Sequence, residues 1–217
     1  MPNIIFWIYI AVSVANLLAK LIPSEELDQF TKPLLMPLLI LYVYKSSLGK
    51  TTGRILLLCL ALVFSWLGDV VLMHQEDQMY FMGGIGLFLA AQITYIVLLR
   101  KSCYQAPSVN LKRIIPFLLY GGLLFYILLP AGDFTIPIII YGSVIMIMAI
   151  MASKREGHTS QESYKLALLG SILFVLSDSI LAFNAFHTAI PYAGVFIMFT
   201  YCAAQLLLVK GLLKHVE

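Results

Sequence analysis

A chain of 217 residues with 61% hydrophobic and only 12% charged side chains, and a mean hydropathy of +0.93, is too apolar for a soluble globular domain. Its formal charge of +3 is small and its basic residues fall in short connections, so membrane topology accounts for them and nothing calls for nucleic acid as a partner. Cys59, Cys103 and Cys202 are isolated, with neither the CxxC spacing of a metal or redox site nor the even count of a disulfide framework, and they read as packing residues.

Taken in order, the apolar runs bounded by charges, glycine and proline predict helices over residues 4–22, 30–44, 54–73, 79–99, 113–130, 134–152, 165–186 and 189–210. Most are long enough to cross a hydrocarbon core of about 30 Å. The first run has no basic segment before it and no small-residue cleavage site after it, which favours an uncleaved span over a signal peptide. The second is short and carries Pro33 and Pro37, so a kink or a partly re-entrant path is expected there. The fold class is therefore all-α: a polytopic integral membrane protein of eight transmembrane helices.

Lys45, Lys50, Arg54, Arg100, Lys101, Lys112, Arg113, Lys154, Arg155, Lys165, Lys210 and Lys214 fall on one side of this arrangement, and only Lys20 and Lys32 on the other. Glu25, Glu26, Asp28, Glu76, Asp77 and Asp133 join the sparse side, so the positive-inside rule puts both termini in the cytoplasm. The halves also resemble each other, since each aspartate-bearing third span is followed by a fourth with a tyrosine and a glutamine: Gln92 with Tyr95, then Tyr201 with Gln205. Two parallel four-helix repeats follow, within one membrane domain over 1–217: a first half 1–100, a linker 101–112 and a second half 113–217.

Asp69, in Phe64-Ser-Trp-Leu-Gly-Asp69-Val-Val-Leu-Met73, and Asp178, in Phe174-Val-Leu-Ser-Asp178-Ser-Ile-Leu-Ala-Phe183, sit inside segments otherwise fit for lipid. An ionisable group at that depth costs at least about 2.5 kcal/mol on insertion scales, so it is paired or faces a wet cavity. Counted from the basic ends of their helices, the two lie at matching depth toward the outer leaflet, and one shared site is expected. One reading is a polar clamp supported by Ser65, Ser177 and Asn184. The other is a carboxyl dyad in which one group holds a proton while its neighbour is an anion, acid and base in one pocket.

Lys32 begins the second span from the outer side, within reach of the aspartates or of a lipid phosphate, though a snorkelling lysine has the same pattern. Gln92, Gln205, Tyr95, Tyr141 and Tyr201 are polar groups within spans that either bond between helices or line the inner part of a cavity. His74 and His187 follow the aspartate spans in loops. Leu48-Gly-Lys-Thr51 has the end of a phosphate-binding loop but lacks its first glycine, and no HExxH or GxSxG pattern occurs. Gly68-Asp69 is similar to the GxGD signature of intramembrane aspartyl proteases, except that Trp66 stands in place of the first glycine. The residues call for no metal and no cofactor.

Thr31-Lys-Pro-Leu34, Leu67-Gly-Asp69 with Leu72, Phe81 to Tyr95 with its glycines and Gln92, Pro137 to Tyr141, Ser177-Asp178, and Tyr201 with Ala204-Gln205 come in an order and spacing that resembles the YhhN-like family of membrane proteins, which includes the lysoplasmalogenases. The resemblance implies eight spans and cleavage of the vinyl ether bond of a lysophospholipid substrate, the lysoplasmalogen, to a fatty aldehyde and glycerophosphoethanolamine or glycerophosphocholine. It also implies Asp69 and Asp178 as the catalytic pair. Ala91 stands where the family pattern leads us to expect histidine. A head group beside Lys32, Tyr80 or His74 is expected on this reading. Two rivals compete with it: a proton-coupled transporter using the same two aspartates, and a lipid-binding scaffold in which they serve assembly. Short termini favour a bacterial inner membrane over an endoplasmic reticulum, and the oligomeric state is not legible.

Overall fold

The computed structural model describes residues 2–47, 52–74, 76–103 and 111–214. Lys50, the motif Leu48 to Thr51 and linker positions 104–110 lie outside the described residues, as do the extreme termini. Among the described residues the chain forms eight α-helices: α1 (Pro2–Leu21), α2 (Glu25–Ser46), α3 (Gly53–Val71), α4 (Gln78–Lys101), α5 (Leu111–Leu128), α6 (Thr135–Ser153), α7 (Gln161–Phe186) and α8 (Ala193–Leu213). Short 3₁₀ turns at Leu72–His74 and Gly132–Phe134 join α3 to α4 and α5 to α6. Helices satisfy all their backbone groups internally, as spanning a hydrocarbon layer requires.

Seven of these helices are long and apolar enough to cross a membrane, and the protein is a multi-pass integral membrane protein. The exception is α2. Its Glu25, Glu26, Asp28 and Lys32 leave an uninterrupted apolar stretch only from Pro33 to Tyr44, about 18 Å at 1.5 Å per residue.

The structure divides into two compact units, one holding α1–α4 and the other α5–α8, with the boundary at Leu98 and Leu99 in the last turn of α4. In the first unit α1 packs on α2 and α2 on α3. Asn16, wholly buried on α1, donates through Nδ2 to Asp28 Oδ1 and to Thr31 Oγ1, both at 2.9 Å. Lys20 reaches the other oxygen of Asp28 at 2.7 Å, so one of the two lysines on the acidic side is held by a carboxylate.

α2 is helical for 22 residues through both prolines, so no re-entrant turn interrupts it. Pro37 has no N–H, so the carbonyl of Pro33, four residues earlier, has no helical donor. Trp66 on α3 supplies one, its indole Nε1 donating to Pro33 O at 2.9 Å. The defect made by one proline is thereby turned into a tie between helices. Between α3 and α4 the approach is close: a Cβ at Gly68 would stand 2.8 Å from the Phe88 ring, and one at Gly84 would stand 2.5 Å from Leu72. These two pairs run in opposite senses, which fixes α3 and α4 as antiparallel neighbours.

The second unit is built around α7 and α8. A Cβ at Gly170 would meet Leu208 N at 2.8 Å and Ala204 O at 2.9 Å, and one at Gly211 would meet Ala167 N at 2.7 Å. These are backbone atoms that cannot rotate away, so the two glycines permit the near contact of the helices. Toward the α6–α7 turn, Ser163 donates to Gly211 O at 2.5 Å and accepts from the buried Arg155 Nη2 at 2.9 Å. Lys214 pairs with Glu162 at 2.5 Å, and Arg113 pairs with Glu156.

Trp66→Phe keeps the ring but removes the donor to Pro33, and a cost of about 1–3 kcal/mol is expected for the orphaned carbonyl. Pro37→Ala restores a helical donor to that carbonyl, so in its background the same change should cost well under half as much. Denaturant titration of the four proteins in micelles checks this, and equal costs in both backgrounds would show that the indole acts only by packing.

Candidate active site

The buried residues of α3 are Ile55, Leu58, Ala61, Leu62, Ser65, Gly68 and Asp69, a spacing of three and four that marks one helical face. Asp69 is therefore part of the protein-facing stripe and not of the lipid-facing one, and it is 3% exposed. Ser65, one turn earlier, is fully buried. On α4 the corresponding stripe holds Phe88, Ala91, Gln92, Tyr95, Leu98 and Leu99.

Two contacts set the register of this unit. Trp66 against Pro33 brings Lys32, which is half-buried, to the depth of the turn that carries Asp69. Phe88 against Gly68 puts Gln92 one turn beyond the residue adjacent to Asp69. Lys32, Asp69 and Gln92 thus share one region of the first unit, while Tyr95 lies a turn further along.

Gln92 differs from every other predicted site residue. Its side chain is wholly buried, and neither Nε2 nor Oε1 has a hydrogen-bond partner. Gln205 is equally buried on α8 but is not without a partner, and the same is true of Tyr95 and Tyr201. Tyr201 also meets Phe174 edge to face, with ring centroids 5.6 Å apart.

In the second unit Asp178 is half-buried on α7 and accepts a hydrogen bond from the Tyr141 hydroxyl on α6. This pair joins two residues that the sequence singled out separately. Ser177 and Asn184 take a different course. Ser177 faces α8 and donates to Ile197 O at 3.0 Å. Asn184 Oδ1 accepts from Ile190 N at 2.8 Å and closes the α7–α8 connection. Their hydrogen bonds serve the packing of α7 and α8. His187 stacks on Phe183 at the same end.

Two features had no signal in the one-dimensional pattern. A cavity of about 540 Å³ lies at the end of the first unit that carries the α1–α2 and α3–α4 connections, lined by Glu25, Asp28, His74, Glu76, Asp77 and Tyr80 among others. The acidic loops hinted at it only after they were known to lie side by side. At the α6–α7 turn Arg155 is completely buried, its Nη1 and Nη2 held by the backbone carbonyl and the hydroxyl of Ser163. Burial pulls its guanidinium down from the usual arginine range to about 10, so it stays a cation at physiological pH, and burial pushes the nearby Cys103 thiol up. The sequence gives such an arginine the look of an ordinary topological charge.

The sequence pattern of the YhhN family matches residues 27–212, nearly the whole chain and every residue singled out for the site. The chain belongs to the YhhN family. Among curated relatives, lysoplasmalogenase TMEM86B of Sus scrofa is 32% identical over 173 residues, covering 80% of this chain and 70% of the relative. Lysoplasmalogenase TMEM86B of Homo sapiens is 30% identical over 194 residues, covering 89% and 80%. Lysoplasmalogenase TMEM86A of Bos taurus is 30% identical over 161 residues, covering 72% and 65%. No solved structure gives a significant match.

Ser177→Ala and Asn184→Ala should each lower stability by about 0.5–2 kcal/mol, the cost of one unmade neutral hydrogen bond to backbone. Unfolding midpoints in micelles check this, and no shift in either would return these side chains to the list of groups free to serve a ligand.

Proposed function

We propose that this chain is a lysoplasmalogenase, an integral membrane hydrolase that opens the vinyl ether bond of 1-alkenyl-glycerophosphoethanolamine or -choline with Asp69 and Asp178 as its acid and base. The observation that carries the reading is the position of Asp69 on the buried, protein-facing stripe of α3 in a chain whose curated relatives bear that name. A carboxyl carried into the apolar layer and turned away from lipid is costly, which makes it by default a candidate for function.

The chemistry suits two carboxyls. One donates its proton to the β-carbon of the vinyl ether, and the C=C electron pair forms the new C–H bond. This leaves an oxocarbenium ion at the carbon that bears the ether oxygen. The second carboxylate stabilises that cation and takes a proton from the water that adds to it. The resulting hemiacetal collapses to the aldehyde and the glycerol hydroxyl, with the protons returned so that one water is consumed. Glycosidases divide the work between two carboxyls in the same way.

Around the pair, Tyr141 holds the Asp178 carboxyl in one orientation through its hydrogen bond. Lys32, at the depth of Asp69, is placed to meet the phosphate. Gln92 and Tyr95 in the first unit, and Tyr201 and Gln205 in the second, are supporting polar groups, and Ser177 and Asn184 position α7. In this reading all eight helices cross the bilayer: α2 has 22 residues, about 33 Å at 1.5 Å each, with its charged first turn at the outer surface. Each unit is one four-helix repeat, and both termini are cytoplasmic.

Aldehyde release from a defined lysoplasmalogen by purified protein in detergent tests the proposal. Asp69→Asn and Asp178→Asn should each lower release by a factor on the order of 10³ or more in folded protein. Tyr141→Phe should lower kcat/KM by roughly ten- to a hundredfold, the worth of a hydrogen bond to a charged group. No aldehyde from folded wild type sinks the assignment and turns attention to proton-coupled transport. Full activity in either aspartate variant sinks the dyad alone.

A further inference from the structure

Gln92 presents a primary amide in the interior of a membrane helix, 0% exposed, with its donor and its acceptor both unmatched. In an apolar interior that is among the more costly arrangements a neutral side chain can adopt. Among the described side chains only Gln92 has every polar atom unmatched in this way, whereas Gln205, its counterpart in the second unit and just as buried, has a partner. An asymmetry of this kind points to a group that arrives from outside the chain.

Position and chemistry narrow what that group is. Phe88 packs on Gly68, so Gln92 stands about one turn past the level of Asp69. Helical side chains lean toward the N-terminus of their own helix. On the antiparallel α3 and α4 that lean brings the Asp69 carboxyl and the Gln92 amide toward each other along the axis. The amide therefore borders the place where the reacting bond sits. Its needs are two-sided, one donor and one acceptor. The vinyl ether oxygen and the phosphate ester oxygens only accept. A hydroxyl does both, and the lysolipid carries one on the glycerol carbon next to the ether-bearing carbon, the sn-2 position, which is free only because the second chain is absent.

We infer that the Gln92 amide recognises the free sn-2 hydroxyl of the substrate and is the residue that restricts the enzyme to lysolipids. The assignment rests on the lysoplasmalogenase reading above. An ester at sn-2 offers no donor and brings a chain into a fully buried position, so a diacyl-type plasmalogen loses the hydrogen bond and meets a steric barrier together.

The test is a cycle of two enzymes and three substrates, read as aldehyde release: wild type and Gln92→Leu, each with 1-alkenyl-glycerophosphoethanolamine, its 2-deoxy analogue and the 2-acyl plasmalogen. Wild type should prefer the hydroxyl over the 2-deoxy compound by roughly ten- to a hundredfold in kcat/KM, since removing the hydroxyl leaves the amide unmatched. Gln92→Leu should lose a similar factor on the natural substrate and show a preference near one. A variant that keeps the wild-type preference overturns the assignment, because another group then reads the hydroxyl. So does a wild type indifferent to the hydroxyl, an outcome that needs no folded variant. An amide that only holds a buried water or spaces two helices would slow both substrates equally, which also overturns it. Should Gln92→Leu fail to fold, Gln92→Met takes its place in the cycle. Absence of aldehyde from all three substrates with folded wild type overturns the functional reading itself, and this assignment with it.

Discussion

Inside a hydrocarbon layer a hydrogen-bonding group without a partner costs several kcal/mol, and no water is at hand to repair the loss. The rest of this structure is arranged under that constraint. Pro37 orphans the Pro33 carbonyl, and an indole from the next helix meets it. Asn16 places its amide hydrogens on Asp28 and Thr31 at the end of α1. Ser163 sits between Arg155 and the Gly211 carbonyl, where α7 and α8 touch. In each case a polar group that would break a membrane helix is used to fasten two helices together.

Against that background the predicted site residues separate into two kinds. Ser177 and Asn184 have backbone partners that account for them. Asp178 takes the hydroxyl of Tyr141, and Gln92 has no hydrogen-bond partner that helix packing supplies. Glycine does the complementary work. Gly68 admits the Phe88 ring beside the Asp69 turn, while Gly170 and Gly211 let α7 and α8 meet at backbone distance below Asp178. The carboxyls are held by packing that small residues make possible.

Under the proposed function, this geometry would serve the hydrolysis of an acid-labile bond. A vinyl ether needs a proton on carbon and a stabilised cation, both of which are furnished by carboxyl groups in surroundings of low polarity. Ala91 lies on the same buried stripe as Gln92 and packs there without any polar group. In this chain the stripe therefore offers the amide of Gln92 with no imidazole beside it.

Much of this was legible in the residues alone. Apolar runs of the right length predict membrane helices because a bilayer demands about 20 apolar residues per crossing, and an aspartate within such a run stands out against them. The charges of α2 showed why it is the helix that fails a purely apolar criterion. Orientation and pairing were decided only by tertiary structure. Whether Asp69 faces protein or lipid depends on which stripe of α3 meets its neighbours. That Tyr141 reaches Asp178 across 37 positions of sequence depends on how α6 lies on α7. Gln92 and Gln205 look alike in the chain, yet one amide is satisfied and the other is not, because a hydrogen bond is a matter of a few ångströms between elements that sequence spacing does not measure.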